Sequence, residues 1–529
     1  MTKLIKISVC TVITALFAWL TYYLALPAMN LASPGFWWYL ISIAVVFAIC
    51  SSVADFIEDE SFIQTGISWI VSGVLFLILI VGVIIGSPMF NSTAYLVRLD
   101  VENTTFEQEF EQVDWNTVPQ IDKDSSVILG NRKMGTLTNE ISQYNVESVY
   151  TQTNILGKPV RVSPLGYSGF FKYQNNKYNG IPGYIVVDQV SKEAEFKRLE
   201  KGIRYSPSAY FGKDLNRYIR NNFPSTMFGT FSFEVDDNGN PFWVVPTYRY
   251  TAGIGGAKLP TGCILVDPIT GYLNKYDIDE IPEWIDHSVE STTAVDMIDS
   301  WGQYKNGFWN TMFGQRDVKV STEGYNYVTI DNDVYLYTGI TSVVADESNI
   351  GFMLVNMRTA KAKYFEMPSA EEYSAMDSAK GQVQHLNYTS TFPILINVNG
   401  TPTYFLSLKD AAGLVKMYGF VAVENIQILS VTESSLGVEA GMREYIKALS
   451  NQTTSTSEKT ADTVDVTVKE IYTAIIEGNT YYYIVDTNNA LYVASISTGK
   501  STLPLLKVDD TITVSAYDTG TYFEVIEVK

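Results

Sequence analysis

The stretch Thr261–Asp277, "TGCILVDPITGYLNKYD", decides how most of this chain reads. Gly262 opens a run of Cys263, Ile264, Leu265 and Val266 that Asp267 closes, and a Thr270-Gly271 turn leads into a second strand carrying Lys275 and Tyr276. An unbroken aliphatic run bounded by turn residues predicts a strand buried on both faces, here the first arm of a hairpin. The question is whether this hairpin is a site or a structural word.

The same word recurs. "IPGYIVVDQVSKEAEFKRL" from 181, "PTGCILVDPITGYLNKYDI" from 260 and "NIGFMLVNMRTAKAKYFEM" from 349 align without a gap over about 19 positions. Each has Gly, a bulky residue, three aliphatics, Asp or Asn, a short turn and a basic-aromatic second strand, which is the signature of a repeated supersecondary unit. A looser fourth copy, "PTYFLSLKDAAGLVKMYGF" from 402, places Asp410 and Gly413 in the turn. Further hairpins turn at Asp237-Asn238-Gly239 and Asn399-Gly400, where Asn-Gly supplies the positive φ of a tight turn. Helices are expected between the copies, over 206–223 ("SPSAYFGKDLNRYIRNNF") and, less regularly, over 288–310.

A helix, an antiparallel hairpin, a strand closing on Val-Asp, a Thr-Gly turn and a return strand together resemble the small PepSY domain. "FSFEVDDNGNPFWVVPTYRY" followed by "GCILVDPITGYLNKYD" carries the resemblance; the copy at 349 has Thr359 but Ala360 in place of the Gly, and the copy at 181 has neither. The resemblance implies membrane-anchored extracytoplasmic modules of the kind assigned to protein binding or protease modulation. It names no functional residue.

The anchor is legible at the N-terminus. No charged residue occurs between Lys6 and Asp55, a span adequate for two crossings of roughly 20 residues each. Pro27, Asn30, Pro34 and Gly35 break the run, and Trp37, Trp38 and Tyr39 suit a headgroup interface. "GISWIVSGVLFLILIVGVIIGSPMF", residues 66–90, is the clearest spanning segment. Helices are therefore expected at about 7–27, 36–54 and 66–88, uncleaved, because no small-x-small cleavage site follows the first apolar run. Lys3 and Lys6 precede the first helix and the loop after it lacks Lys and Arg, so the positive-inside rule puts the N-terminus in the cytoplasm and the large C-terminal region outside.

The expected organisation is α+β: a transmembrane region over 1–90, a membrane-proximal segment over 91–164, a repeated PepSY-like region of helices and antiparallel hairpins over 165–447, a Ser/Thr-rich linker over 448–462 and a small OB-like β-barrel over 463–529. A net charge of −20 opposes binding to a phosphate backbone, so no nucleic-acid partner is expected, and Tyr481, Tyr482 and Tyr483 read as filling and covering the barrel.

Little material exists for catalysis. His287 and His385 are the only histidines, both amid loop-like sequence, which leaves almost no material for a His-based triad, a histidine metal cluster or an HExxH helix, and His287 reads as a hydrogen-bonded surface residue. Cys263 reads as a buried thiol. "AGIGGAK", residues 252–258, lacks the spacing of a phosphate loop and reads as a flexible hairpin tip. Asp236, Asp237 and Asn238 read as a turn, since the Gly falls too early for an EF-hand. The acidic group Asp277, Asp279, Glu280, Glu283 and Asp286 is the one cluster with metal-binding or acid-base capacity, weighed against a solvated acidic loop. The sequence thus points to a non-catalytic binding or scaffolding protein of a bacterial-type envelope, integral to the membrane, with a protein or envelope-polymer partner and no cofactor. A sensor controlling a membrane partner and a carboxylate-based extracellular hydrolase are the alternatives.

Overall fold

The structure, a computed structural model, describes residues 3–58, 63–343, 348–456, 462–476, 479–518 and 522–528. It divides into two compact units, Met1–Ile446 and Lys447–Lys529.

Three helices open the first unit, Lys3–Ala25, Pro34–Glu58 and Ile63–Gly86, each long and apolar enough to cross a membrane. Their outward side chains, Leu16, Trp19, Leu77 and Ile84 among them, remain exposed in the absence of lipid, the expected surface of a bilayer segment. Lys6 and Asp55 pair at 3.3 Å between the first two helices, and Thr65 of the third donates to Asp55 Oδ2 at 2.6 Å, so all three share one polar tie at the same end. This is the layout of a membrane anchor followed by a large soluble region.

Four antiparallel sheets follow, all with one connectivity. In the first, short strands Tyr144–Val146 and Thr151–Ile155 lie end to end along Lys158–Tyr167, which pairs with Ile181–Asp188, which pairs with Ala194–Ile203. The second repeats the pattern with Met227–Phe228, Ser232–Val235, Pro241–Ala252, Gly256–Val266 and Leu273–Asp277. The third uses Lys319–Ser321, Asn326–Ile330, Asp333–Ser342, Ser348–Asn356 and Ala362–Ala370, and adds Val101–Asn103 in parallel on its last strand. The fourth uses Thr389–Ser390, Ile394–Val398, Thr401–Lys409, Val415–Ala422 and Leu429–Glu433. A helix precedes each sheet: Lys123–Gly135, Leu215–Asn222, Ser291–Gln303 and Glu372–Gln382. Asp122 and Asp214 cap the first two by accepting the backbone N–H three residues on.

The three clear sequence copies occupy equivalent places, the fourth strand, turn and fifth strand of the first three sheets. In each turn the Asp or Asn side chain accepts two successive backbone N–H groups: Asp188 from Val190 and Ser191, Asp267 from Ile269 and Thr270, Asn356 from Arg358 and Thr359. The next residue takes positive φ in all three, as Lys192, Gly271 and Ala360, so the side-chain acceptor dictates the turn and Gly merely eases it. The looser copy from 402 sits one strand early, on the third and fourth strands of its sheet. The equivalent word there is Gly419-Phe420-Val421-Ala422-Val423-Glu424, in which Glu replaces Asp and the turn acceptor shifts to Asn425.

Several boundaries differ from expectation. Position 165 falls inside Lys158–Tyr167, so the membrane-proximal segment contributes the first helix and three strands of the first sheet. The helix expected over 206–223 is α-helical only from Leu215 to Asn222, after a 3-10 turn at Phe211–Lys213, because Tyr210 is extended and the chain re-enters at Asp214. That expected over 288–310 spans Ser291–Gln303, with a separate π turn at Asn310–Gly314. The expected linker is helical over 448–456, within the helix Val438–Thr456, its last residue Asp462 opens a strand, and residues 457–461 lie outside the described residues.

The second unit is a closed barrel of Asp462–Ile476, Asn479–Asp486, Leu491–Ser495, Thr511–Asp518 and Phe523–Val528. The long first strand pairs with the second and the fourth, and the third and fifth run parallel. Val466, Val468, Ile484, Val514 and Val525 fill it, and Tyr482 is buried among them.

Candidate functional site

The second strands of the four sheets face one another. Thr151–Ile155 packs on Ser232–Val235, and Asn326–Ile330 on Ile394–Val398. The second strands of the first three sheets, with the loop before that of the fourth, line a cavity of about 560 Å³. Its wall takes Gln152 and Arg161 from the first sheet, Ser232 and Pro246 from the second, Asn326 and Tyr327 from the third and Phe392 from the loop entering the fourth. Helix starts supply the rest, Asp122 to Asp124 on one side and Glu290 to Thr292 on the other. Lys123, Asp124, Thr230, Thr292 and Tyr325 are exposed around the mouth, whereas Gln152, Arg161, His287 and Val289 are buried at the floor. The size is that of a small-ligand pocket.

The charges around it are largely spoken for. Burial alone would raise the Glu290 carboxyl, but the Lys258 ammonium and the Thr230 N–H, at 2.6 Å, hold it below the usual range. Asp122 pairs with Lys409 and caps its helix. Arg161 is the exception: only 6% exposed, it makes one hydrogen bond, Nη2 to Gln152 Oε1 at 2.8 Å, and has no carboxylate within ion-pair distance among the described residues. Desolvation pulls its pKa down to about 10, with Tyr327, Asp122 and Asp124 opposing from a distance.

His287 is buried, not a surface residue. Its Nε2 donates to the Gln152 carbonyl at 2.6 Å and its ring meets Tyr327 edge-on at 5.3 Å, while burial lowers its pKa and keeps it neutral near pH 7. Behind it, the Glu234 side chain accepts the backbone N–H of Asp286 at 2.8 Å and of His287 at 3.2 Å, and the Ser232 hydroxyl at 2.7 Å. Asp286 in turn accepts from the Thr153 hydroxyl and from Asn154 N–H at 2.8 Å. Burial, and then the neighbouring Glu234 charge, push the Asp286 carboxyl well above the usual range. This carboxylate pair ties the first two sheets to the segment 285–290 and does not line the cavity.

The acidic group of the sequence is therefore not one site. Asp277, Asp279, Glu280 and Glu283 are exposed, Asp286 is buried with structural partners, and none of the five lines the cavity. Among the described residues no group of three or more His, Cys, Asp or Glu side chains is placed to hold a metal ion. Cys263 is fully buried, and its thiol pKa is pushed up to about 12 by desolvation, so it is not a nucleophile. The tip Ala252–Lys258 is not loose: Ile254 N–H donates to Gly82 O and Gly255 N–H to Ala32 O, each at 3.0 Å, which seats the hairpin on the third membrane helix and the first interhelical loop. Nothing local signalled this docking, since its other half is the pair Gly82 and Gly86 within an apolar run. Arg161 was equally unreadable beforehand, one Arg in a strand whose neighbours are apolar.

No protein-family model and no curated protein matches this chain. Among solved structures, a Trypanosoma rangeli sialidase in complex with 2,3-difluorosialic acid aligns at 10% identity over 72% of this chain and 53% of that one, with a TM-score of 0.15. A likeness of that size describes no shared fold.

Proposed function

We propose that this protein is a membrane-anchored, extracytoplasmic binding protein of the cell envelope, built from PepSY-like modules and non-catalytic. The observation that carries the reading is the cavity of about 560 Å³, walled by polar side chains and aromatics, in which Asp122 and Glu290 are held in ion pairs with Lys409 and Lys258. The helix-then-sheet plan of the modules and the Asp267 turn support the PepSY likeness. The partner is a protein or a polymer of the envelope, and the barrel, read as OB-like, serves as an additional contact surface. A photoreactive amino acid in place of Thr292, at the cavity mouth, is expected to give a discrete adduct in intact cells. Failure to form an adduct from Thr292, Thr230 or Tyr272 contradicts a binding role.

A sensor that controls a membrane partner is the second reading, and the docked hairpin favours it. Met29 N–H donates to Pro224 O at 2.8 Å, Arg220 Nε to Leu26 O at 3.0 Å and Arg217 Nη2 to Tyr23 O at 3.2 Å. Together with the Ile254 tip these contacts join the second sheet directly to the helices, so a change at the cavity has a short route to the bilayer.

A further inference from the structure

Burying a guanidinium without a counter-charge is costly, and natural structures seldom leave its donors idle. Arg161 has five N–H donors and uses one acceptor, Gln152 Oε1. Among the described residues its Nε is buried with no partner, and so is the Nε2 of Gln152, whose carbonyl oxygen is committed to the arginine. Both side chains come from paired positions on adjacent strands, Gln152 opposite Arg161, so strand register fixes them side by side. Both line the 560 Å³ cavity, and the carboxylates that share its lining have cations of their own: Asp122 and, at 3.6 Å, Asp124 have Lys409, and Glu290 has Lys258. The cavity floor is thus a desolvated cation beside a spare amide N–H, in a wall that also offers the rings of Phe231, Tyr327 and Phe392.

We infer that this cavity binds a small carboxylate-bearing ligand, drawn to the Arg161 guanidinium at its floor while its body lies against the aromatic wall. A planar two-oxygen anion suits the guanidinium fork better than a point acceptor does. The inference rests on the binding role proposed above and adds its ligand class. An acidic sugar and a peptide carboxy-terminus present the same group.

The test uses the full-length protein in detergent and calorimetric titration with D-glucuronate and with N-acetyl-dialanine, alongside D-glucose, N-acetyl-dialanine amide and inorganic phosphate. One of the two carboxylates is expected to bind and its neutral counterpart to fail, which also tells sugar from peptide. Arg161→Gln is expected to weaken that binding about tenfold or more. Gln152→Glu supplies an internal carboxylate to Arg161, so it is expected to abolish binding while raising the melting temperature; this variant answers the question even if Arg161→Gln folds poorly. Binding of neither carboxylate, binding of phosphate alone, or carboxylate binding unchanged in Gln152→Glu overturns the assignment. Should the Thr292 adduct form in cells while both carboxylates fail, the ligand class falls and the binding role stands; loss of the adduct removes both.

Discussion

Gly183, Gly262 and Gly351 show what the repeated word is for. Each sits at a register shift, where its strand bulges and a carbonyl of the following strand comes close. A methyl group at these positions would lie 2.1 Å from Lys197 O, 2.0 Å from Tyr276 O and 2.4 Å from Phe365 O, so no other residue fits without moving the backbone. These glycines and the turn carboxylates were legible in sequence because their causes are local. Gly419 was not, since its word lacks the Asp and a second aliphatic run, Tyr404 to Leu408, competes for the same alignment. Asp286 was legible as acidic but not as buried, because its burial comes from Glu234 and Thr153 on other elements. Its folded pKa lies above the unfolded value of about 3.9, so the fold favours the protonated form, a contribution present below that pH and lost as pH rises through the folded pKa. Asp286→Asn keeps an acceptor for Thr153 and Asn154, and is expected to gain stability over the parent protein progressively as the pH rises above about 4, read as a widening difference in melting temperature. A difference that stays constant across that range would contradict the buried-acid reading.

The elements were the most readable level in kind and the least in extent. The three long apolar helices and the hairpins fall where hydropathy and turn residues put them, because length and alternation are strong signals. The shortened helix at Leu215–Asn222 and the helical start of the expected linker depend on what the neighbouring chain packs against, which periodicity does not encode. The Ile254 tip is the same kind of case. A methyl at Gly82 would meet Ile254 Cδ1 at 2.3 Å, so the helix glycine makes room for the hairpin. Gly82→Ala is expected to lower the melting temperature of the detergent-solubilised protein, and Ile254→Ala added to it to recover part of the loss, a non-additive pair. Strictly additive losses would mean that the tip does not rest on that helix.

At the scale of the molecule, four sheets of one connectivity stand on a membrane anchor and enclose a cavity whose lining residues run from Asp122 to Phe392. No motif could have announced it: its chemistry is assembled from single residues of separate units, and only the folded arrangement leaves Arg161 buried without a counter-charge. The fold class was readable because repeats and hydropathy are patterns along the chain, whereas the site is a pattern across it. The proposed function requires this region to face the envelope and to bind there. A single reactive cysteine in place of exposed Tyr272, in a chain whose Cys10, Cys50 and Cys263 are replaced by Ala, tests it through labelling of intact cells with a membrane-impermeant maleimide. Full labelling without permeabilisation is the predicted result, and labelling only after the membrane is opened would place the sheets and their cavity in the cytoplasm and contradict the account.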